Sequence, residues 1–545
     1  MRRLFVLVTF AFLSFSAAAQ DTIAIRVEAA SKLTPLKPLW NYFGYDEPNY
    51  TYGENGVRLI GELASSSAAP VFFRTHNLLT TGDGTPSFKW GSTNAYTEDS
   101  TGNPIYDWTI VDRIIGTYVQ SGARPFVEIG FMPRALSTKP DPYSPIWKPG
   151  DKFDHYYLGW TYPPTSYNKW AELVYQWVKH CIRKYGAQEV AAWQWEVWNE
   201  PDIGYWHGTP EEYDKLFDFT IDAVKRALPA ARVGGPASTG PGNPKAAAFL
   251  RQFLDHCASG KNYATGALGT QLDFISFHAK GSPQVEQGKV QMGLAHELND
   301  VERGFEIVSS YPSFQHLPIV LSEADPEGCA ACSARVYPQN AYRNGALYPA
   351  YTAAAIKAAL QSASRFGVNL EGFLTWAFEF EGQPYFDGLR TLATNGLDKP
   401  ILNFFRMAGL LQGDRVKVES TGAPKVDALA AESAHNLSIL VWNYQNLDVP
   451  GPADPVQLTI ERLPAGANRV AIKHYRIDQT HSNAFTAWQR LGSPQDPSPE
   501  QIQLLEHAGQ LELLESPRFA AAHNGTLRLE FVLPLQGLSL FELSW

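Results

Sequence analysis

Long apolar runs, cysteine and basic charge are all scarce in this chain of 545 residues. Beyond the first twenty positions no stretch approaches the roughly 18 consecutive apolar residues of a membrane-spanning helix. Four cysteines, Cys181, Cys257, Cys329 and Cys332, are too few and too scattered for a disulfide-built scaffold or a zinc module, which would need a second ligand pair at fixed spacing. Lysine and arginine number 45 against 55 acids, a formal net charge of −10. That balance excludes nucleic acid or an anionic membrane as the main partner, and no basic run interleaved with aromatics offsets it. No Gly-rich phosphate fingerprint follows an early strand, which removes the main support for a nucleotide-binding doubly wound sheet. Neither a metal nor an organic cofactor is called for, and a neutral small substrate fits best.

Aromatic residues are abundant, with 15 Trp and 25 Tyr. Most belong to cores, but indole faces also stack on the C–H faces of sugars. At the N-terminus Arg2 and Arg3 precede the apolar run Leu4 to Phe15, and small residues follow at Ala17 to Ala19. This reads as a secretory signal peptide over 1–19, and so as a secreted or periplasmic protein. In an oxidising compartment the four cysteines could form two disulfides in three connectivities, with Cys329-Ala-Ala-Cys332 a local structural bridge rather than a redox centre. Asn49, Asn436 and Asn524 begin Asn-x-Ser/Thr sequons whose meaning depends on the host.

Eight apolar strand-like runs alternate with helical stretches: Trp40–Tyr45, Val71–Arg74, Pro125–Ile129, Ala192–Trp198, Arg232–Gly235, Phe274–His278, Ile319–Ser322 and Phe373–Trp376. Trp170, Val174, Trp177, Val178 and Cys181 recur at helical spacing, and Thr209-Pro210-Glu211-Glu212 marks a helix start. This pattern predicts an α/β protein, a (β/α)8 TIM barrel over 37–404. Short alternating runs after 404 predict an antiparallel β-sandwich over 405–545, joined by an N-terminal strand segment over 20–36. Residues Ser493 to Glu500 read as a long surface loop.

In such barrels catalytic groups stand where strands end at the C-terminal face. Two carboxylates do so: Glu200, within Trp195-Glu-Val-Trp-Asn-Glu-Pro201 after the fourth strand, and Glu323, within Leu321-Ser-Glu-Ala324 at the seventh. One protonated and one ionised carboxyl group flanking a glycosidic bond are the minimal machinery for its hydrolysis. Adjacent strand residues face opposite ways, so Asn199 and Glu200 share a site only if the strand bends there. Glu128 and Glu196 lie further back and look like internal bracing.

The stretch Trp195-Glu-Val-Trp-Asn-Glu-Pro-Asp202 resembles glycoside hydrolase family 39, the β-xylosidases and α-L-iduronidases of the retaining clan A. Tyr106 to Asp112, Pro125 to Pro133, Asp273 to His278, and Gly388-Leu-Arg-Thr-Leu before Lys399-Pro400 support the resemblance. It covers the barrel well and the C-terminal sheet loosely. It implies Glu200 as acid/base, Glu323 as nucleophile, Asn199 on the sugar 2-hydroxyl, and His76 and His278 near sugar or nucleophile. It also implies Trp376 as the sugar platform, with a candidate cis bond to Ala377. Phe131, Trp206, Glu379 and Glu381 are candidate pocket walls. Lys280 departs from the tyrosine usual in xylosidases, as does the loop Ala377 to Gln383. The implied activity is release of terminal β-D-xylose from xylo-oligosaccharides, with α-L-arabinopyranoside, β-glucoside or α-L-iduronide as alternatives. A non-catalytic sugar-binding protein is the competing class. Oligomeric state is not legible.

Overall fold

A computed structural model describes residues 21–143, 158–329 and 331–545. The expected signal segment lies outside them. No helix among the described residues is long and apolar enough to cross a membrane.

The eight expected strands form a parallel barrel: Tyr42–Tyr45, Phe72–Thr75, Arg124–Ile129, Gln194–Val197, Arg232–Ser238, Phe274–Lys280, Pro318–Asp325, and an eighth broken into Asn369–Phe373 and Thr375–Trp376. The break closes the ring, since Asn369–Phe373 pairs with the seventh strand and Thr375–Trp376 with the first. The barrel's lower interior is filled by Tyr42, Phe72, Phe126, Phe274, Val320 and Leu374. Period two along the strands then carries the inner face upward. Phe72 leads to Arg74 and His76, Phe126 to Glu128, and Phe274 to Ser276, His278 and Lys280. An aromatic plug is thus followed by a charged layer and then by the mouth.

Helices Tyr167–Tyr185 and Pro210–Ala227 lie where the periodicity placed them, the second closed by a capping box between Thr209 and Glu212. The last barrel helix, Pro400–Gly409, runs past the boundary expected at 404.

The strand Ile23–Pro35 pairs antiparallel with Asp414–Ser420 and parallel with Asp454–Glu461, inside a ten-stranded sheet. The sheet is therefore mixed rather than wholly antiparallel, because a strand made before the barrel is inserted between two made after it. Ile472 and Leu529, near opposite ends of the strand order, share one apolar core, so the sheet folds over on itself as a sandwich. The expected loop over Ser493–Glu500 is shorter than read. It joins helices Ala484–Arg490 and Pro499–Gly509, the latter begun by a Ser498–Gln501 capping box that the Pro/Ser-rich composition had hidden.

Of the four cysteines only Cys329 and Cys332 are bridged. Cys181 and Cys257 are free and buried, each on the core face of its helix, where they act as small hydrophobes; burial pushes both thiols up. A second disulfide is thereby excluded.

Glu297, on helix Leu294–Ser309 behind the sixth strand, is fully buried and bonded to the Tyr351 hydroxyl. Burial, reinforced by Asp325, pushes its carboxyl up to about 8. Between its unfolded value and 8 the unfolded chain ionises while the folded one stays protonated, so this contribution to stability is lost as pH rises through that window. Glu297→Gln, which cannot ionise, should therefore gain melting temperature relative to the parent between pH 5 and pH 8; a pH-independent difference would contradict this.

Candidate active site

At the barrel mouth Asp46, His76, Lys89, Asn199, Glu200, Tyr205, Glu323, Gly328, Cys329 and Trp376 line a cavity of about 220 Å³. A larger cavity of about 600 Å³, between barrel and sheet, is lined mainly by apolar groups such as Leu294, Leu298, Ala354 and Trp442, and neither glutamate reaches it.

Two backbone irregularities bring the key groups together. On the fourth strand Gln194 and Glu196 share the inner parity, which would leave Asn199 facing away from Glu200. Trp198 (φ 70°) and Glu200 (φ 45°) instead lie in the left-handed region, and Glu200 N–H donates to the Ala237 carbonyl at 2.9 Å. Such residues cost on the order of 1–3 kcal/mol each and persist only where the surroundings hold them. On the seventh strand the register against the sixth slips between Leu321 and Glu323, so Glu323 is opposite His278. Without that slip Glu323 would share the outward side of Ile319 and Leu321.

The result is a compact triad. Ligand atoms of Glu200, His278 and Glu323 all lie within 4.8 Å of one another. His278, fully buried, meets Glu200 Oε1 through Nδ1 at 2.9 Å, while its Nε2 faces Glu323 Oε1 at 3.8 Å. Glu323 is gripped by Lys280 Nζ on Oε2 at 2.7 Å and by Arg74 on Oε1 at 3.3 Å, with His76 Nε2 at 3.7 Å. Burial alone would push its carboxyl up. His278, Lys280 and Arg74 together outweigh that and hold it well below the usual carboxylate range. Burial, with Arg74 beside it, pushes His76 down to about 4 despite Asp46, so its ring is neutral at neutral pH.

Arg74 organises the layer below. Its fully buried guanidinium reaches Glu196 at 2.5 Å, Glu128 at 2.9 Å and the Asn199 side-chain oxygen at 2.9 Å. Burial pushes Glu128 up, which relieves the excess of negative charge. Arg74 also turns Asn199 so that its amide N–H groups are left for another acceptor. Arg74→Met would leave buried Glu196 without its cation and strip Glu323 of one of its two, Lys280 being the other. The expected loss is about 3–5 kcal/mol in denaturant unfolding at pH 7, and a loss below 1 kcal/mol would contradict this bracing.

Trp376 is almost fully buried and donates its backbone N–H to Asp325 at 3.2 Å. Its ring packs over Gly44, where an added Cβ would stand 2.4 Å from it. The non-proline cis bond expected at Trp376–Ala377 is not there; among the described residues it lies at Gly130–Phe131. Four candidate walls do not line the cavity. Phe131 is fully buried and stacks behind Tyr205 at 5.8 Å, and Trp206 packs on Trp198 at 5.2 Å while donating to the Thr209 carbonyl. Glu379 is buried against Arg58 at 3.0 Å, and exposed Glu381 accepts from Asn55 N–H. Period-two parity cannot be counted through the irregular loops after the third, fourth and eighth strands, so these assignments fail there.

Asp46, Lys89, Tyr205 and Asp325 escaped sequence reading. Asp46, directly after the first strand, was detectable by its strand-end position. It lines the cavity, and its buried Oδ2 has no hydrogen-bond partner among the described residues, so it can accept a sugar hydroxyl.

Comparison with known proteins decides the family: the model for Glycosyl hydrolases family 39 matches residues 23–524. The chain belongs to glycosyl hydrolase family 39. It is a glycosidase whose substrate is a carbohydrate, and the match runs well into the C-terminal sheet that the motifs touched only loosely. The chain is 27% identical to a β-xylosidase of Geobacillus stearothermophilus over 456 residues, 81% of each protein. It is 26% identical to an α-L-iduronidase of Mus musculus over 574 residues, 96% of this chain and 81% of that one. Among solved structures, a monomeric β-xylosidase of Caulobacter crescentus superposes with a TM-score of 0.76 at 21% identity, covering 96% of this chain and 99% of that one. A family 39 enzyme of Xanthomonas axonopodis pv. citri gives 0.74 at 21%, covering 98% and 100%. At these identities the structures speak for the fold.

Proposed function

We propose that this family 39 glycosidase releases a terminal β-D-xylosyl unit from xylo-oligosaccharides by double displacement with net retention. The observation that carries the mechanism is the approach of Glu200 and Glu323 within 4.8 Å. Retaining enzymes hold the two carboxyl groups about 5–5.5 Å apart, and inverting ones need about 6.5–9.5 Å to admit a water. Glu323, held ionised by its cations, attacks the anomeric carbon while Glu200 protonates the departing oxygen. Glu200 then takes a proton from the water that displaces Glu323. Asn199 holds the 2-hydroxyl, and Trp376 carries the ring face.

A cavity of about 220 Å³ suits one pyranose unit, which supports cleavage of a terminal residue. Three carboxylates, Asp46, Glu200 and Glu323, line it against one lysine, Lys89, and two further cations behind the wall are engaged: Lys280 spans Glu323 and Asp325, and fully buried Arg390 is locked onto Asp325. That balance favours a neutral sugar. A second reading, an α-L-iduronide, is favoured by Lys280 at the nucleophile, Lys89 on the cavity wall and the near full-length similarity to the mouse α-L-iduronidase. The N-terminal apolar segment supports secretion or export to the periplasm.

A panel of aryl glycosides tests the substrate: β-xyloside, α-L-arabinopyranoside, β-glucoside, β-galactoside and α-L-iduronide. The β-xyloside should give the highest kcat/KM. A leading iduronide would transfer the assignment to the second reading, and cleavage of none would overturn terminal release of a simple sugar.

A further inference from the structure

Lys280 is the last residue of the sixth strand and shares the inner face with Ser276 and His278. Its ammonium lies 2.7 Å from Glu323 Oε2 and 3.2 Å from Asp325 Oδ2. Asp325 is nearly fully buried and already answered by Arg390 on its other oxygen, while its Oδ2 also accepts the Trp376 N–H. The charge of Arg74 is shared among Glu128, Glu196 and Glu323. Lys280 is therefore the cation whose charge is answered chiefly by Glu323.

We propose that Lys280 makes Glu323 a competent leaving group in the second displacement, and that Asp325 holds the ammonium in place while Glu323 is esterified. The proposal rests on the double-displacement reading above. In the first displacement Glu323 gives up its charge as its oxygen bonds to the anomeric carbon, so an ion pair on it is stronger in the ground state than in the transition state. The second displacement reverses this. The water oxygen bonds to the anomeric carbon, its proton passes to Glu200, the ester C–O bond breaks and the electron pair returns to the Glu323 carboxylate. An ammonium fixed beside Oε2 is then better bound in the transition state than in the glycosyl-enzyme, the condition for acceleration. Asp325 supplies the preorganisation, because without it Lys280 would swing away when its main partner became a neutral ester.

The two steps respond oppositely to loss of the charge, which gives a readout that general loosening of the site would not. Full-length parent, Lys280→Met, Lys280→Gln and Lys280→Arg would be mixed with 2,4-dinitrophenyl β-D-xylopyranoside, or with the dinitrophenyl glycoside of whichever sugar leads the panel. Stopped-flow would follow phenolate release, and mass spectrometry of rapidly quenched protein would count glycosylated Glu323. For the Met and Gln variants the expected result is a burst near one equivalent, accumulated glycosyl-enzyme, and kcat lowered about 10²-fold with KM lowered in parallel. Lys280→Arg should recover part of the loss. The Gln variant keeps the test open should the Met variant not fold. A fall in kcat with KM unchanged or raised, and no more glycosyl-enzyme than in a parent that itself forms it, would overturn the role of Lys280 alone. A first-released sugar of inverted configuration from the parent would overturn double displacement, and this inference with it.

Discussion

Glu323→Gly should lower kcat/KM for every glycoside the parent cleaves by about 10⁴-fold or more, the scale seen when a covalent nucleophile is removed. The expectation comes from four groups converging on this one side chain: Lys280, Arg74, His76 and His278. Lys280 and Arg74 favour its ionised form, and none of the four is positioned to replace it as nucleophile. Removing the side chain also leaves room beside Lys280 and Arg74 for a small anion. Azide added to the variant should restore turnover of an activated aryl β-glycoside and yield the α-glycosyl azide, since a single displacement inverts. A variant retaining a tenth of the parent's rate, or a rescued product of β configuration, would remove Glu323 from the nucleophile's role.

Glu200→Ala should separate substrates by their leaving groups. General acid assistance is worth roughly 10²–10⁴-fold, and it matters only where the departing oxygen is basic. Xylobiose cleavage should fall by that amount. Release of dinitrophenolate in the first step should be nearly unaffected, with the slow step moved to hydrolysis of the glycosyl-enzyme. Equal losses on both substrates would contradict the assignment, whatever their size.

Strand ends and motif context sufficed to place Glu200, Glu323, Asn199, His76, His278 and Trp376 at one barrel mouth, because position along a barrel strand is written in apolar periodicity. What brings Glu323 and Asn199 to the inner face was not written there. It depends on the register slip after Leu321 and on left-handed backbone at Trp198 and Glu200, neither of which has a glycine or other local signature. Arg74 sat in plain view two residues before His76, yet its contacts with Glu128, Glu196, Glu323 and Asn199 reach three other strands and become legible only once the barrel is closed. Phe131, Trp206, Glu379 and Glu381 were placed by proximity in sequence to the site, and the loops carry them away from it. The parallel insertion of Ile23–Pro35 beside Asp454–Glu461 is likewise a property of chain order in space. No pattern within either strand encodes it.

The most direct test of the account is the configuration of the first sugar released, followed by ¹H NMR during the opening minutes of hydrolysis of an aryl β-glycoside. Double displacement through Glu323 predicts that the β-anomer signal rises first and the α-anomer follows by mutarotation. If the α-anomer appears first, the two carboxylates carry out a single displacement by water, and Glu323 is not a nucleophile.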